Sequence, residues 1–596
     1  MKSSGRHGVG MATYAIVLLT GLTLINLNHW FIYPTQSSYF FFTINTSLLF
    51  IATASNFLLS GKTISLKISM LPVSMLTLYV LLHGLLNSSN GFNSWHYYYL
   101  SAGLLFIAIY SLLANKEINK HHIETGFTGL AVIEAVICFA QYAGLFKSMN
   151  TYFVVSGSWV NPNVTAMFMA LVFPIAFLRV VNAQNRLKIF YALIFCLLLG
   201  GLYLLKCRSA YLGVFTSGIL CCYFCFWEKF KNNKAPIYTI AVILLICVIP
   251  IIIYLYKSKK ESADGRLLVY KTTWGMITDK PVQGHGFGLF EKYYNLKQAT
   301  YFNEGHATVQ ENPHAGHINM AYNELLQHGA EGGFPGLILF VSVFAVLLYR
   351  GYCLSDHSNK PHDYHLIAAY SGVAGYFLMS LVNFTWQAIP ATCIFIFYAA
   401  ILTDCDKSVV LKKVQTVIIV CLLFSAIGLL YQQAETVKAS YRNRTAIEYI
   451  KQRKAKEAIY ILEPLKETLD NDESFWNNLA RSYFISGKYQ GAIEALEKAQ
   501  LQSSKPAIFH LKARCYEKLG MTEQAITSWQ AAALIEPNRM LPHYHLMNLY
   551  LGINDPKNAL LKARQLTAFK PKGISEKATV YKRKAEQVLA GLGSKN

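Results

Sequence analysis

Apolar and polar positions divide the chain sharply. Up to about Gln432 the sequence is a series of apolar runs with short polar gaps, and from Gln433 onward it is rich in Lys, Glu and Ala. Runs near the ~20 residues needed to cross a bilayer fall near 11–31, 39–59, 68–86, 96–114, 124–146, 164–181, 189–206, 209–227, 237–256, 334–352, 366–387, 388–403 and 414–432. The run at 388–403 is short and broken by Pro390. The pattern predicts an all-α protein, with a polytopic membrane bundle of about 12–13 spans and then a soluble helical tail. One long polar interruption, Lys257 to Pro335, breaks the first two thirds. Loops of that length are uncommon unless they work, so this is the expected active-site loop. The predicted division is a membrane domain over 1–432, with its large loop at 257–333, and a tail domain over 433–596.

The tail repeats itself. Ala458, Ala492, Ala525 and Ala559 are spaced by 34, 33 and 34 residues, and Ala446, Ala480 and Ala513 keep the same register. The segment WNNLARSYFISGKYQGAIEALEKA reads as helix–turn–helix with a small residue where the helices cross. It resembles a tetratricopeptide repeat, which has this period and this Ala/Gly/Tyr pattern. Four units, the first degenerate, stack into a short solenoid. Its concave face either holds a protein partner or merely braces the membrane domain.

Charge fixes the expected orientation. The net charge is +22, but much of it sits in short gaps between apolar runs, which argues against a nucleic-acid partner. Gaps on the N-terminal side carry Lys2, Arg6, Lys62, Lys67, Lys116, Lys120, Arg179, Arg186, Lys188, Lys229, Lys231, Lys234, Arg350, Lys360, Lys407, Lys412 and Lys413. Short gaps on the other side carry Lys147, Lys206 and Arg208. The positive-inside bias puts the N-terminus in the cytoplasm and both the large loop and the repeat tail outside. In a Gram-negative cell that means a multi-pass inner-membrane protein with a periplasmic tail. Of 12 cysteines nearly all lie in or beside apolar runs, and Cys515 alone falls in the tail, so no disulfide framework is expected.

Candidate chemistry is concentrated near the outer face. Arg266 opens a stretch in which Leu267, Tyr270, Trp274 and Ile277 recur at helical spacing, as in a helix lying in the membrane interface. Arg208 in CRSAYLG stands at the same depth. Two guanidiniums at one leaflet suit a pyrophosphate, since each donates parallel hydrogen bonds; ordinary snorkelling of basic residues is the alternative reading. GHGFG at Gly284–Gly288 lacks the preceding strand and the closing Lys-Ser/Thr of a nucleotide loop. His314 and His317 have no third ligand at zinc spacing, so neither metal nor other cofactor is expected. Glu134 and Gln141 share one helical face, and an intramembrane carboxylate there normally faces the bundle interior. It suits a helix–helix partner, or else a transporter.

GSWVNPNVTAMFMAL (Gly157–Leu171), CRSAYLG, the run from Arg266 to Phe290 and YNELLQHGAEGGFPG (Tyr322–Gly336) occur in one order along the chain. That order resembles the O-antigen ligase/O-antigen polymerase superfamily, which includes bacterial protein O-oligosaccharyltransferases. The resemblance covers the chain to about residue 405. It implies transfer of a glycan from undecaprenyl pyrophosphate to an acceptor hydroxyl on lipid, glycan or protein, without nucleotide sugar or metal. By motif match, Arg266 and Arg208 bind the pyrophosphate, while Asn161, Asn163 and Glu324 shape the cavity. The family's histidine aligns with Tyr322, followed by Asn323 and Glu324. A phenol of pKa near ~10 is a poor base at neutral pH, so either adjacent arginines activate Tyr322, or His317 or His314 serves as the base, or activating the acceptor matters less than stabilising the leaving pyrophosphate. Tyr322, His317 and Asn323 are the catalytic candidates with Arg266. The resemblance also leaves room for a non-catalytic assembly factor in glycan export.

Overall fold

The computed structural model describes residues 30–32, 34–60, 66–86, 92–230, 260–308, 311–355, 363–406, 415–569 and 576–593. The span expected at 237–256, and nearly all of that at 11–31, lie outside them. In chain order the helices are α1 (Pro34–Ser60), α2 (Leu71–Leu86), α3 (Ser94–Ala114), α4 (Lys120–Tyr142), α5 (Pro162–Asn182), α6 (Asn185–Leu205) and α7 (Arg208–Phe230). Then come α8 (Lys260–Asp279), α9 (Phe290–Asn303), α10 (Glu324–Ser355), α11 (Tyr364–Ser380), α12 (Ile389–Asp404) and α13 (Gln415–Lys451). The tail holds α14 (Ala455–Leu462), α15 (Glu473–Ile485), α16 (Tyr489–Gln502), α17 (Pro506–Lys518), α18 (Thr522–Ile535), α19 (Met540–Gly552), α20 (Pro556–Ala568) and α21 (Glu576–Gly593). No strand occurs among the described residues, and eight of the helices there are long and apolar enough to cross a membrane.

The chain forms two compact units. One comprises 1–88, 92–258 and 322–438; the other comprises 89–91, 259–321 and 439–596. The large loop thus folds with the tail rather than with the apolar helices, a grouping that cuts across the division expected at 432.

In the first unit, α12 is the centre. Every residue from Ile389 to Thr403 is buried, as expected of a helix that is apolar all round. Pro390 stands in its first turn rather than breaking it, a position where the missing N–H costs nothing. The expected weak span is therefore the innermost helix. Around it α7 and α11 approach at glycines: a Cβ on Gly375 would lie 2.9 Å from the Gly213 carbonyl oxygen. Small residues permit such close packing where lipid offers no hydrophobic drive between helices. Helix α10 is kinked at Gly333, whose φ is +64°, and the Tyr79 hydroxyl donates to the Gly332 carbonyl oxygen at 2.6 Å. That bond satisfies an acceptor beside the kink and Pro335.

The second unit is a tetratricopeptide-type solenoid. Ala446, Ala458, Ala480, Ala492, Ala513, Ala525 and Ala559 are all fully buried where paired helices cross. Helix α21 packs against α20 after the last repeat. Against α18 lies α9, from the large loop. Glu291, Asn295 and Gln298 recur at helical spacing along α9 and bind backbone on both sides. Asn295 Nδ2 donates to the Ile318 carbonyl at 2.9 Å and its Oδ1 accepts from the Ile318 N–H at 2.9 Å. Gln298 Nε2 donates to the carbonyls of Gly316 at 3.1 Å and Ile535 at 3.3 Å. From the tail, Asn538 Nδ2 donates to the carbonyls of Pro313 and Ala315, at 3.1 and 2.5 Å. Part of the solenoid surface is taken by the chain's own loop.

Candidate functional site

Three segments of the first unit meet at one end of its bundle. The first is the start of α7. Cys207 is buried, Arg208 is half-buried and opens the helix, and the Ser209 hydroxyl accepts from Asn383 Nδ2 at 2.6 Å. The second is the turn joining α11 to α12. Asn383 Oδ1 accepts from its neighbour's N–H, that of Phe384, at 3.0 Å, and the Trp386 N–H donates to Glu324 Oε1 at 2.8 Å. The third is the start of α10. Asn323 caps it, its Oδ1 accepting from the N–H groups of Leu325 and Leu326 at 3.0 and 3.1 Å. The Tyr322 and Phe384 rings are 6.1 Å apart.

The turn Asn383–Trp386 therefore ties Ser209, beside Arg208, to Tyr322 and Glu324. Two helix N-termini point to this end, and helix N-termini favour anions. Tyr322 is half-buried with φ +54°. A left-handed conformation in a residue of this kind costs of order 1–3 kcal/mol and persists where surrounding structure imposes it. Beneath it lies a buried polar cluster. His328 Nδ1 lies 2.7 Å from the Glu324 carbonyl oxygen, and its Nε2 lies 2.6 Å from the Tyr99 hydroxyl. Gln327 Nε2 donates to Glu331 Oε1 at 2.9 Å. From sequence, Glu324 is singled out on this helix but not Gln327, His328 or Glu331. Their spacing with Glu324, at positions one helical face shares, was the available signal.

Asn161 and Asn163 open α5. Asn161 Oδ1 accepts from the Asn163 N–H at 3.0 Å, with Pro162 in the first turn. The preceding turn is held from α4. Glu134 Oε2 accepts from the Ser158 N–H at 3.0 Å, and its Oε1 accepts from the Ser158 hydroxyl. Gln141 Oε1 accepts from the N–H groups of Ser156 and Gly157 at 2.9 and 3.0 Å. Val160, a β-branched residue, is left at φ +65°, a conformation such residues rarely take.

Arg266 and His317 lie in the second unit. Arg266 is half-buried on α8, where a Cβ on its neighbour Gly265 would lie 3.9 Å from the His314 side chain. Along α8 Leu267 and Trp274 are 63% and 51% exposed, whereas Ile277, expected on their face, is fully buried with Leu268, Val269 and Met276. The interfacial stripe is narrower than the spacing suggested. His317 Nε2 lies 2.6 Å from Glu291 Oε1. Glu291 also accepts from the Ser504 hydroxyl at 3.1 Å. Burial alone raises the Glu291 carboxyl, but the His317, Ser503 and Ser504 bonds outweigh it and hold the carboxyl below its ordinary range. Among the described residues no group of three or more His, Cys, Asp or Glu side chains is arranged to hold a metal ion.

Residues 192–341 match the family model described as O-Antigen ligase. This segment is similar to an O-antigen ligase domain. It runs from α6 through Arg208, the large loop and Tyr322 to the kink of α10, and it supports a glycan-transfer function in surface polysaccharide biosynthesis. Residues 451–532 match the model of anaphase-promoting complex, cyclosome, subunit 3, in keeping with the repeat architecture of the tail. No curated protein matches the chain. Among solved structures, the hetero-tetramer Cut9-Hcn1 of the APC/C is 12% identical, with 81% of this chain and 76% of that chain covered and a TM-score of 0.22. An IFIT1 monomeric mutant with Gppp-AAAA is 13% identical, with 55% and 82% covered and a TM-score of 0.23.

Proposed function

We propose that the protein transfers a glycan from undecaprenyl pyrophosphate to an acceptor hydroxyl at the outer face of the inner membrane. The observation that carries this reading is the corner where the Asn383–Trp386 turn joins the start of α7 to the start of α10. The acceptor oxygen attacks the anomeric carbon, the C–O bond to pyrophosphate breaks, and negative charge grows on the departing phosphate. Arg208 and the two helix N-termini stabilise that charge in this reading, and preorganised donors of this kind are usually the largest catalytic term. Tyr322 is the candidate to contact the acceptor hydroxyl, whose proton leaves with the departing pyrophosphate, and leaving-group stabilisation is the larger contribution. Arg266 is proposed as a second pyrophosphate ligand on its place in the motif order, Asn323 as a catalytic candidate beside Tyr322, and Asn161, Asn163 and Glu324 as shaping residues. His317, engaged with Glu291, is proposed to position the loop. The acceptor is lipid, glycan or protein, and the repeat tail is proposed to be periplasmic.

Glu134, which gave the transporter alternative its motive, has both carboxylate oxygens engaged by Ser158. The non-catalytic alternative rests on Tyr322 standing where the family has histidine. Glycan transfer from purified lipid-linked donor separates the two: Arg208→Ala at matched expression should lose about 10²–10³ in rate, the usual loss of one such donor. Wild-type transfer by that variant, or none by the wild type, would refute the catalytic reading.

A further inference from the structure

At the opposite end of the same bundle, where α5 finishes and α4, α6 and α11 begin, there is a cavity of about 280 Å³. It is near the lower bound of the ~300–1,000 Å³ typical of small-ligand sites. Its charged groups are Arg179, Glu124, His121 and His365. Arg179 donates from Nη2 to the His121 carbonyl at 3.2 Å and to the Thr125 hydroxyl at 2.8 Å. Its guanidinium carbon stands 5.8 Å from the Tyr191 ring centre, and its Nε is buried with no hydrogen-bond partner among the described residues. Glu124 is buried, with Oε1 2.7 Å from His365 Nδ1.

The cavity thus holds a cation with spare donors and a carboxylate in one space. Its rim continues onto an exposed apolar surface. Leu187 lines it and is 61% exposed, and Ile189, Phe190 and Leu193 continue an exposed apolar surface along α6. We propose that this cavity binds the headgroup of an aminophospholipid, its phosphate on Arg179 and the Tyr191 hydroxyl, its ammonium on Glu124, and its acyl chains along α6. Either charge alone would suit other ligands. Together with the apolar ramp they select a zwitterion that carries chains. A purely anionic lipid gains Arg179 but places negative charge beside Glu124.

The test is native mass spectrometry of the delipidated full-length protein in detergent micelles. It is supplied in turn with dioleoyl phosphatidylethanolamine, dioleoyl phosphatidylglycerol, or chain-free glycerophosphoethanolamine. Losing one charge-assisted bond of ~1.5–3 kcal/mol is about tenfold or more in affinity. Phosphatidylethanolamine should therefore bind at least about tenfold more tightly than phosphatidylglycerol, and Arg179→Gln should lose about tenfold. Tyr191→Phe removes one hydroxyl without disturbing the Arg179 bonds, and should weaken binding several-fold even if Arg179→Gln fails to fold. Equal binding of the two lipids overturns the ammonium assignment. Equal binding of the chain-free headgroup overturns the lipid assignment, and unaltered binding by Tyr191→Phe overturns the site.

Discussion

Glu291→Gln is the sharpest perturbation of the link between loop and tail. The substitution keeps shape and removes charge. In the folded protein Glu291 Oε1 meets His317 Nε2 at 2.6 Å and the Ser504 hydroxyl at 3.1 Å, while the Ser504 hydroxyl also donates to the Glu291 carbonyl at 3.2 Å. A hydrogen bond to a charged group is worth ~1.5–3 kcal/mol and a neutral one ~0.5–1.5. Neutralising the acid should therefore cost about 1.5 kcal/mol, concentrated on the short His317 contact. That corresponds to about a tenfold rise in local opening. Hydrogen exchange of the full-length protein in micelles should show it in peptides covering 312–320, with the α15–α16 core unchanged. Ser504→Ala should act on the same peptides, and a double-mutant cycle should give a coupling of at least ~0.5 kcal/mol. The effect has a pH signature. The Glu291 carboxyl is held below its ordinary 4.5, so its stabilisation is complete above that value. It is lost as pH falls through the lower folded value. Unchanged exchange over 312–320 in both variants would show that the tail does not hold the loop.

Four further outcomes are expected. Arg266→Ala should be nearly inactive in glycan transfer and Arg266→Lys badly impaired, since lysine lacks the planar fork; Tyr322→Phe should lose less than either, and the reverse order would move the chemistry away from pyrophosphate stabilisation. Ala492→Leu should overpack the repeat crossing by about 1–3 kcal/mol and lower the tail's melting temperature; an unshifted transition would contradict the crossing assignment. Burial depresses His510 and His543 to about 4, so their neutral forms stabilise the tail above the ordinary ~6.5. Helicity melts of the full-length protein should weaken between pH 6.5 and 4 and flatten when both are replaced by Gln. Reporter fusions near His306 and Cys515 should signal outside and a fusion near Lys231 inside; a cytoplasmic tail would overturn the charge-based topology.

The tail was legible because its signal is one of size. Ala480, Ala492, Ala513 and Ala525 recur where two helices touch, and small residues at a fixed period have few other causes. The centre of the bundle was misjudged for the opposite reason. Pro390 reads as a break when the helix start is unknown, and as an N-terminal residue once Ala388 is seen to precede the first turn. Polar positions were the least legible. Glu291, Asn295 and Gln298 share a face that looks solvated, yet Asn295 and Gln298 are fully buried against loop and tail backbone. The face Glu324–Gln327–His328–Glu331 is equally quiet in sequence and equally buried. A polar stripe reports its period but not what lies across from it.

The same limit explains Glu134. A carboxylate within a span invites a reading as an ion or proton site, and one-dimensional spacing gives no competing use for it. The fold supplies one 24 residues away, at a turn the acid never adjoins in sequence. Ser158 takes both its oxygens, Gln141 one helical face along takes Ser156 and Gly157, and Thr165 returns a bond of 2.8 Å to the Ser156 carbonyl. Gly157 sits at φ +72°, where an added Cβ would lie 2.6 Å from Glu134 Oε2. Only glycine fits against the acid there, and the rigid turn that results can carry the strain at Val160 just before α5. The first motif and the fourth, at Tyr322, share this design. Each is a left-handed non-glycine residue immediately before a helix capped by asparagine, held by buried polar groups from a neighbouring helix or turn. What these motifs specify in this chain is therefore first of all backbone geometry at helix starts, and the candidate phosphate-binding arginine Arg208 opens a helix of its own.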